Sequence, residues 1–353
     1  MRPRGLPGLI RMPGTGSRRR RALILVFLAV VTSIAVVVIV GGPNVFSRLS
    51  TTPTWVLGAA PALMLLAWFA NAGRVVILLR ANGRQIGFVR AWLIAAGGDF
   101  GAALGPSNVT ALAAYLFLLG RTGLDSARSS ALFMLEKILD QAMFAAALAI
   151  SAVVLAVNGR APGHWTLFEV GLGLSLGVLL LVVLMLFQYR RLVSGIIWLL
   201  ARLGLAPRHR RRVMRWSLRF RHGLLAVAAL PRRHLVLLVF CAAMYWAPRF
   251  AILPLVAMGL HANVPWAYLL AVQVLAIFAG QFSLLPGGTI TVEAVSAALL
   301  LPWVDRQTVG LMLLLWRGSV FYFTLIVGAG GFLGAAAWHR PCPLIEAAEP
   351  RTT

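Results

Sequence analysis

Of the 353 residues, 60% are hydrophobic and 12% charged, and the mean hydropathy is +0.86. Soluble domains average about 45–50% apolar and about 25% charged, so this composition excludes a soluble domain and indicates a polytopic membrane protein. The formal charge is +24, from 33 bases against 9 acids, and every base except Lys137 is an arginine. The arginines fall in loops between apolar runs, which is the mark of membrane topology and anionic headgroups and argues against nucleic acid as a partner.

The chain begins with a basic arm, 1–21, of seven arginines and no acid. The apolar run 22–42 that follows is longer than the about 7–15 residues of a signal h-region, and Pro43 stands where a cleavage site would be expected, so it reads as a retained first span. Full-length spans are predicted at 22–42, 54–79, 133–157, 165–188, 234–259 and 309–338, since crossing takes about 20 apolar residues. Two other apolar regions are interrupted. Between Ala91 and Gly120, the residues Gly101, Gly105 and Pro106 leave arms of roughly 14 and 12 residues, about 21 and 18 Å, too short for a core of about 30 Å. Between Trp266 and Pro302 the first arm is long enough to cross, but the arm after Pro286-Gly287-Gly288 is roughly 13 residues, about 20 Å. Both regions read as re-entrant helical hairpins.

Charge orients this layout. With the arm in the cytosol, alternating spans place 80–90, 121–128, 189–233 and the tail 339–353 on the same side, and these segments hold 26 of the 33 bases. The outer loops hold Arg48, Arg160 and Arg306 alone, as the positive-inside rule requires. The expected fold class is therefore an all-α polytopic membrane protein of six full spans plus two re-entrant hairpins. A first membrane repeat, 22–157, and a second, 165–338, flank an outer loop, 158–164, and each reads span, span, hairpin, span. Three crossings per half make the halves inverted, and broken segments at matching positions of inverted halves point to a midplane binding site. Both termini are expected in the cytosol, with the protein in the plasma membrane.

The cytosolic linker 189–233 carries twelve arginines and no acid. Val213, Trp216, Phe220 and Leu224 follow helical spacing, while Arg208, Arg212, Arg215, Arg219 and His222 line another face. This is the pattern of an interfacial basic helix, read either as a topological anchor or as a collecting surface for acidic lipids.

The strongest single stretch is Pro286-Gly287-Gly288 followed by Glu293. Proline removes a backbone donor and glycine loosens the chain, so the helix opens there. In lipid an opened backbone must be buried in protein or line a wet cavity. Apart from Glu293, no residue from Phe250 to Val304 is formally charged, and an isolated acid at such a break is a candidate functional site. Arg317, alone in the last span, is its natural partner, with Arg249 second; the pair serves packing or forms a substrate or proton site. Glu136 and Asp140 share a helix face at i,i+4 and repel unless a cation or proton lies between them. They mark either a solvated span end or a polar cluster in the substrate path. Asp99, after Gly97-Gly98, lies in the first hairpin, whose tip is Gly105-Pro106-Ser107-Asn108. Ser107 or Asn108 is placed to cap the second arm and aim its free N–H groups at a phosphate. The histidines are scattered without metal-ligand spacing, no cofactor or nucleophile fingerprint appears, and Cys241 and Cys342 imply no disulfide framework. No catalytic residue, metal or cofactor is expected.

These residues resemble the lysylphosphatidylglycerol synthase transmembrane (flippase-like) family over roughly 20–340. The resemblance rests on Pro286-Gly287-Gly288 with Glu293, on Arg317 in the last helix, on Arg74 and Arg80 ending the second span, and on Glu136-Lys137-x-x-Asp140. Ile290 stands where the family often has a further glycine, and Pro106-Ser107-Asn108-Val109-Thr110 is poorer in glycine and charge than the usual first hairpin. The chain has no room for the soluble aminoacyltransferase domain of the bifunctional synthases. The resemblance implies a flippase-like protein that translocates or handles anionic, aminoacylated or polyprenyl-phosphate-linked lipids. Pro286, Gly287, Gly288, Glu293, Arg317, Arg249, Glu136, Asp140, Asp99, Pro106, Asn108 and Arg74 are its expected substrate-binding residues. Membrane lipids and an envelope-lipid transferase are the expected partners. The alternative is a membrane enzyme or accessory subunit acting on a lipid-linked substrate in envelope biogenesis.

Overall fold

A computed structural model describes residues 27, 30–105, 107–159, 165–202, 204 and 207–338. The arm 1–21, the tip residue Pro106, most of the outer loop 158–164 and the tail 339–353 with Cys342 lie outside the described residues. Among the described residues every regular element is helical. The first half comprises α1 (Val30–Gly41), α2 (Thr54–Ala81), α3 (Phe88–Ala103), α4 (Ser107–Gly120) and α5 (Ser126–Val157). Helices α6 (Trp165–Phe187), α7 (Tyr189–Arg202) and α8 (Pro207–Ala228) follow. The remainder is α9 (Arg232–Gly259), α10 (Trp266–Gly280), α11 (Thr291–Leu300), α12 (Arg306–Arg317) and α13 (Phe323–Ala337).

Five helices are long and apolar enough to cross a membrane: Thr54–Ala81, Ser126–Val157, Glu169–Phe187, Arg232–Gly259 and Arg306–Ala337. The last of these is α12 and α13 run together through one π-helical turn, Gly318–Tyr322. Of the expected span 22–42, the continuously described part from residue 30 forms the helix Val30–Gly41. The interrupted regions break where expected. Helices α3 and α4 have 16 and 14 residues, about 24 and 21 Å at 1.5 Å per residue. Helix α10 is shorter than the sequence suggested: it ends at Gly280 after 15 residues, about 22 Å, and so falls short of a crossing. After Gly280 the chain turns through Gln281 and Phe282, with the N–H groups of Phe282 and Ser283 donating to the carbonyls of Ala279 and Gly280.

The core sits where α2, α9, α10 and α12 meet, with Trp68, Trp316, Tyr268, Phe144 and Met64 fully buried. Helices α3 and α13 approach more closely than large side chains allow. A Cβ on Gly97 would lie 2.8 Å from Phe332 Cα, and one on Gly331 would lie 2.9 Å from Ala96 Cβ. Small residues at such crossings let backbones touch where lipid supplies no hydrophobic drive. The long helix α5 starts seven residues before the predicted 133 because Asp125 caps it, its carboxylate accepting from the N–H groups of Ala127 and Arg128. That shift moves Glu136 and Asp140 from a helix end into its body.

Helix α8 packs on α5, where Gly223 faces Ala131 and Arg128. Three of the four residues of the predicted apolar stripe serve protein packing: Val213, Phe220 and Leu224 are half-buried beside the buried Ser217, Gly223 and Val227, while Trp216 stacks on Phe220 and is itself exposed.

Candidate functional site

Four bases lie within the spans, and each meets an embedded acid. On α2, Arg74 is 2% exposed and makes three contacts. Its Nε donates to Asn71 Oδ1 (3.0 Å), its Nη1 to Asp140 Oδ1 (2.8 Å), and its Nη2 lies 3.5 Å from Glu136 Oε2. The cation that the Glu136/Asp140 spacing demanded is therefore Arg74. The two carboxylates are 4% and 5% exposed, which removes the solvated-end reading. Asp140 also accepts from Lys137 Nζ (2.9 Å) and Trp246 Nε1 (2.9 Å), and Glu136 accepts from Tyr115 Oη. Lys137 is half-exposed, so Asp140 joins a buried arginine to a more open lysine.

The second cluster joins α3 to α9. Arg249 Nη1 donates to Asp99 Oδ2 and to Tyr245 Oη, both at 2.8 Å. Asp99 accepts further bonds from Trp68 Nε1 (2.8 Å) and Tyr245 Oη (3.0 Å). The guanidinium lies over the Tyr245 and Trp246 rings at 4.8 and 5.1 Å, a cation–π arrangement that holds its plane. Of the three arginine pairs inside the spans this is the most open, with side chains 13% and 20% exposed. Helix α9 is perturbed on both sides of Arg249 by Pro248 and Pro254. Proline lacks an N–H, so Pro254 leaves the carbonyl of Phe250 without its helical donor. Gln273 Nε2 from α10 donates to that carbonyl at 2.6 Å, which satisfies the backbone inside the membrane as it must.

The third cluster is at the second break. Arg317 Nε donates to Glu293 Oε1 (2.8 Å), Ser33 Oγ donates to the same oxygen (2.6 Å), and Arg317 Nη2 donates to the carbonyl of Gly287 (3.2 Å). Glu293 is fully buried, and its Oε2 has no hydrogen-bond partner among the described residues. Pro286–Gly288 forms a single 3-10 turn with Gly287 and Gly288 at φ 60° and 68°, the left-handed region glycine enters without penalty. Gly287 also has no space for a side chain, since a Cβ would lie 2.1 Å from Phe321 Cε2. Ile290, before the first turn of α11, takes φ 70° and ψ −55°, close to the rare strained γ-turn. A β-branched residue there is an outlier, and it is the position where the resembled family often has glycine. The π-helical turn directly after Arg317 marks a second irregularity at this point, of the kind found at functional sites.

The three clusters converge. A cavity of about 360 Å³ is lined by Asp99, Asn108, Lys137, Asp140, Arg249, Gly287 and Arg317, among others. The Pro286–Gly288 turn packs against both α3 and α4, so the two interrupted regions approach each other. Among the expected site residues, Asp99, Asn108, Asp140, Arg249, Gly287 and Arg317 line this cavity directly. Arg74, Glu136 and Glu293 stand behind it as buried partners, Pro286 and Gly288 shape the turn, and Pro106 lies outside the described residues. Sequence reading passed over Lys137, Tyr245, Trp246, Tyr115 and Ser33 as site residues. Tyr245 carried a legible signal, since its i,i+4 spacing to Arg249 places both on one helix face. Among the described residues no cluster of His, Cys, Asp and Glu is able to hold a metal ion.

Residues 24–328 match the family described as the lysylphosphatidylglycerol synthase TM region. The chain belongs to that family. It is also similar to a UPF0104 membrane protein of Archaeoglobus fulgidus, 22% identical over 325 residues that cover 86% of this chain and 94% of the relative. The matched region takes in all three charge clusters, from Ser33 to Arg317, so membership embraces the whole cavity and not one helix of it. The protein is accordingly a membrane protein of this family.

Proposed function

We propose that this protein is flippase-like: it moves or hands on a lipid with an anionic, aminoacylated or polyprenyl-phosphate-linked headgroup between leaflets. The observation that carries the reading is the cavity in which Arg249, Lys137 and Arg317 converge beside a broken helix. Charged groups inside a membrane are costly and mark substrate paths, and arginine matches phosphate geometry with its planar fork of donors. The headgroup enters the cavity and meets its charged side chains while the lipid's chains stay in the bilayer. The six-plus-two layout with inverted halves fits this reading, because opposed hairpins place helix ends and open backbone around one central site. The cytosolic termini and plasma-membrane location belong to the same proposal, as does an envelope-lipid transferase that supplies or consumes the lipid.

The test is reconstitution in liposomes with fluorescent lipids of several headgroups, each bleached from outside by an impermeant reductant. Faster exposure of at least one anionic or aminoacylated lipid, lost in Arg249→Gln, supports the reading. Uniform rates across headgroups, unchanged in that variant, sink it.

A further inference from the structure

Helices α7 and α8 present an apolar surface that nothing in the fold covers. At about 100° per residue, the packed side of α8 is centred on Ser217, Phe220, Leu224 and Val227. Met214, Leu218 and Leu225 fall together on a different side, and all three are exposed. Helix α7 repeats the pattern: Leu192, Ile196 and Leu199, at i, i+4 and i+7, are exposed, and Trp198 beside them is 60% exposed. Immediately before α7, the lipid-facing surface of α6 ends in the exposed Leu184 and Phe187, so the apolar strip continues from the span into α7. Next to the exposed stripe of α8 runs the basic one, Arg208, Arg212, Arg215 and Arg219. Among the described residues no ion pair involves an arginine of either helix, and the stretch 189–233 contains no acid to neutralise them. An apolar stripe flanked by unneutralised arginines, with tryptophan at its edge, has the chemistry of an interfacial helix and not of a protein seam, which would bring its own acids or pack flat.

We propose that α7 and α8 are a docking surface for an anionic phospholipid leaflet. Leu192, Ile196 and Leu199 of α7, with Met214 and Leu218 of α8, enter the boundary between headgroups and chains. The arginines beside them hold phosphate groups. This surface is separate from the central cavity, and through the packing of α8 on α5 it adjoins the helix that carries Glu136 and Asp140. The local density of anionic lipid is therefore read on an element that touches the site.

The test uses the full-length protein with Cys241→Ala and Cys342→Ser, a single reporter at Leu218→Cys or Arg212→Cys, and an environment-sensitive dye. Each is placed in nanodiscs of phosphatidylcholine alone or with phosphatidylglycerol, the acyl chains brominated. The Leu218 dye is expected to be quenched by the chains about five-fold more strongly with phosphatidylglycerol, since one basic residue at an anionic surface weighs about that much in partitioning. The Arg212 dye remains open to aqueous iodide. Neutralising Arg215→Gln and Arg219→Gln together lowers the quenching, and high salt does the same by screening in the Leu218 reporter chain that keeps both arginines, a readout that holds even if the double variant folds poorly. Equal quenching in both kinds of disc overturns the proposal. So does protection of the Leu218 dye by a DNA duplex or by polyglutamate but not by phosphatidylglycerol, which would make the surface one for nucleic acid or for an acidic protein.

Discussion

Arg317 and Glu293 meet through a 2.8 Å bond between Nε and Oε1, 24 residues apart, with Ser33 Oγ closing on the same oxygen. Two helices separated by a loop thus share one buried charge pair beside an opened backbone, and Arg317 spends a second donor on the carbonyl of Gly287. Removing one partner of a buried pair leaves an uncompensated charge and costs about 3–5 kcal/mol, whereas removing both is far milder. Arg317→Leu alone should therefore lower thermal stability sharply, and Glu293→Leu with Arg317→Leu should recover most of it. Lipid movement in liposomes should be absent in both, and in Glu293→Gln, which keeps its shape but loses its charge. A double-mutant cycle on stability together with the lipid assay separates the two roles; full activity in Glu293→Gln at normal abundance would remove this residue from the site.

Arg74 should behave as a structural keystone. It is buried and fully engaged by Asn71, Glu136 and Asp140. Lysine has one compact charge where arginine has a planar fork, so Arg74→Lys is expected to be damaging in spite of its charge. Arg74→Met leaves Glu136 without its cation and Asp140 with the half-exposed Lys137 alone, and should be worse. Thermal unfolding in detergent should show losses on the order of 3–5 kcal/mol for Arg74→Met. Near-normal stability in that variant would show that Lys137 alone suffices.

Arg249 should separate from Arg74 in its phenotype. Asp99 keeps Trp68 Nε1 and Tyr245 Oη when Arg249 is lost, so no carboxylate is orphaned. Arg249→Gln is expected to cost roughly 1–2 kcal/mol of stability, within the ordinary range for a single substitution, and yet to stop headgroup-selective lipid movement. Folding loss as large as that of Arg74→Met would place Arg249 among the packing residues.

Ile290 offers a test of stored strain. A residue held in a sparsely populated backbone region costs about 1–3 kcal/mol. Glycine relieves this and alanine does not, so Ile290→Gly should be more stable than Ile290→Ala by about 1 kcal/mol. That order is the reverse of the one expected inside a regular helix. Comparison of the two melting curves decides it, and alanine ranking above glycine would show that Ile290 is unstrained.

Topology gives an independent prediction. From the 26-to-3 division of loop bases, the prediction is that α7, α8 and both termini face the cytosol. A cysteine introduced at Arg210 should react with an impermeant maleimide in inverted vesicles and stay unmodified in intact cells. Labelling from outside intact cells would invert the whole arrangement.

Hydrophobic length and charge distribution are properties of the chain itself, and they were enough for the membrane class, for five of the crossing helices and for both interruptions. Proline and glycine act on their own backbone, so the break at Pro286-Gly287-Gly288 was legible without any partner. The isolated acid Glu293 and base Arg317 were legible too, because an embedded charge must find a counter-charge and few were on offer. What sequence alone left open was every question of who stands opposite whom. That Arg74 fills the space between Glu136 and Asp140, that Arg249 goes to Asp99 and not to Glu293, and that Tyr245, Trp246 and Ser33 complete the clusters depend on how helices cross. Helix crossing is set by contacts between small residues such as Gly97 and Gly331, far apart in sequence, and no local periodicity records them. The same limit explains α8: periodicity found an apolar stripe, but only its packing on α5 decided that Phe220 and Leu224 face protein while Met214 and Leu218 are left exposed.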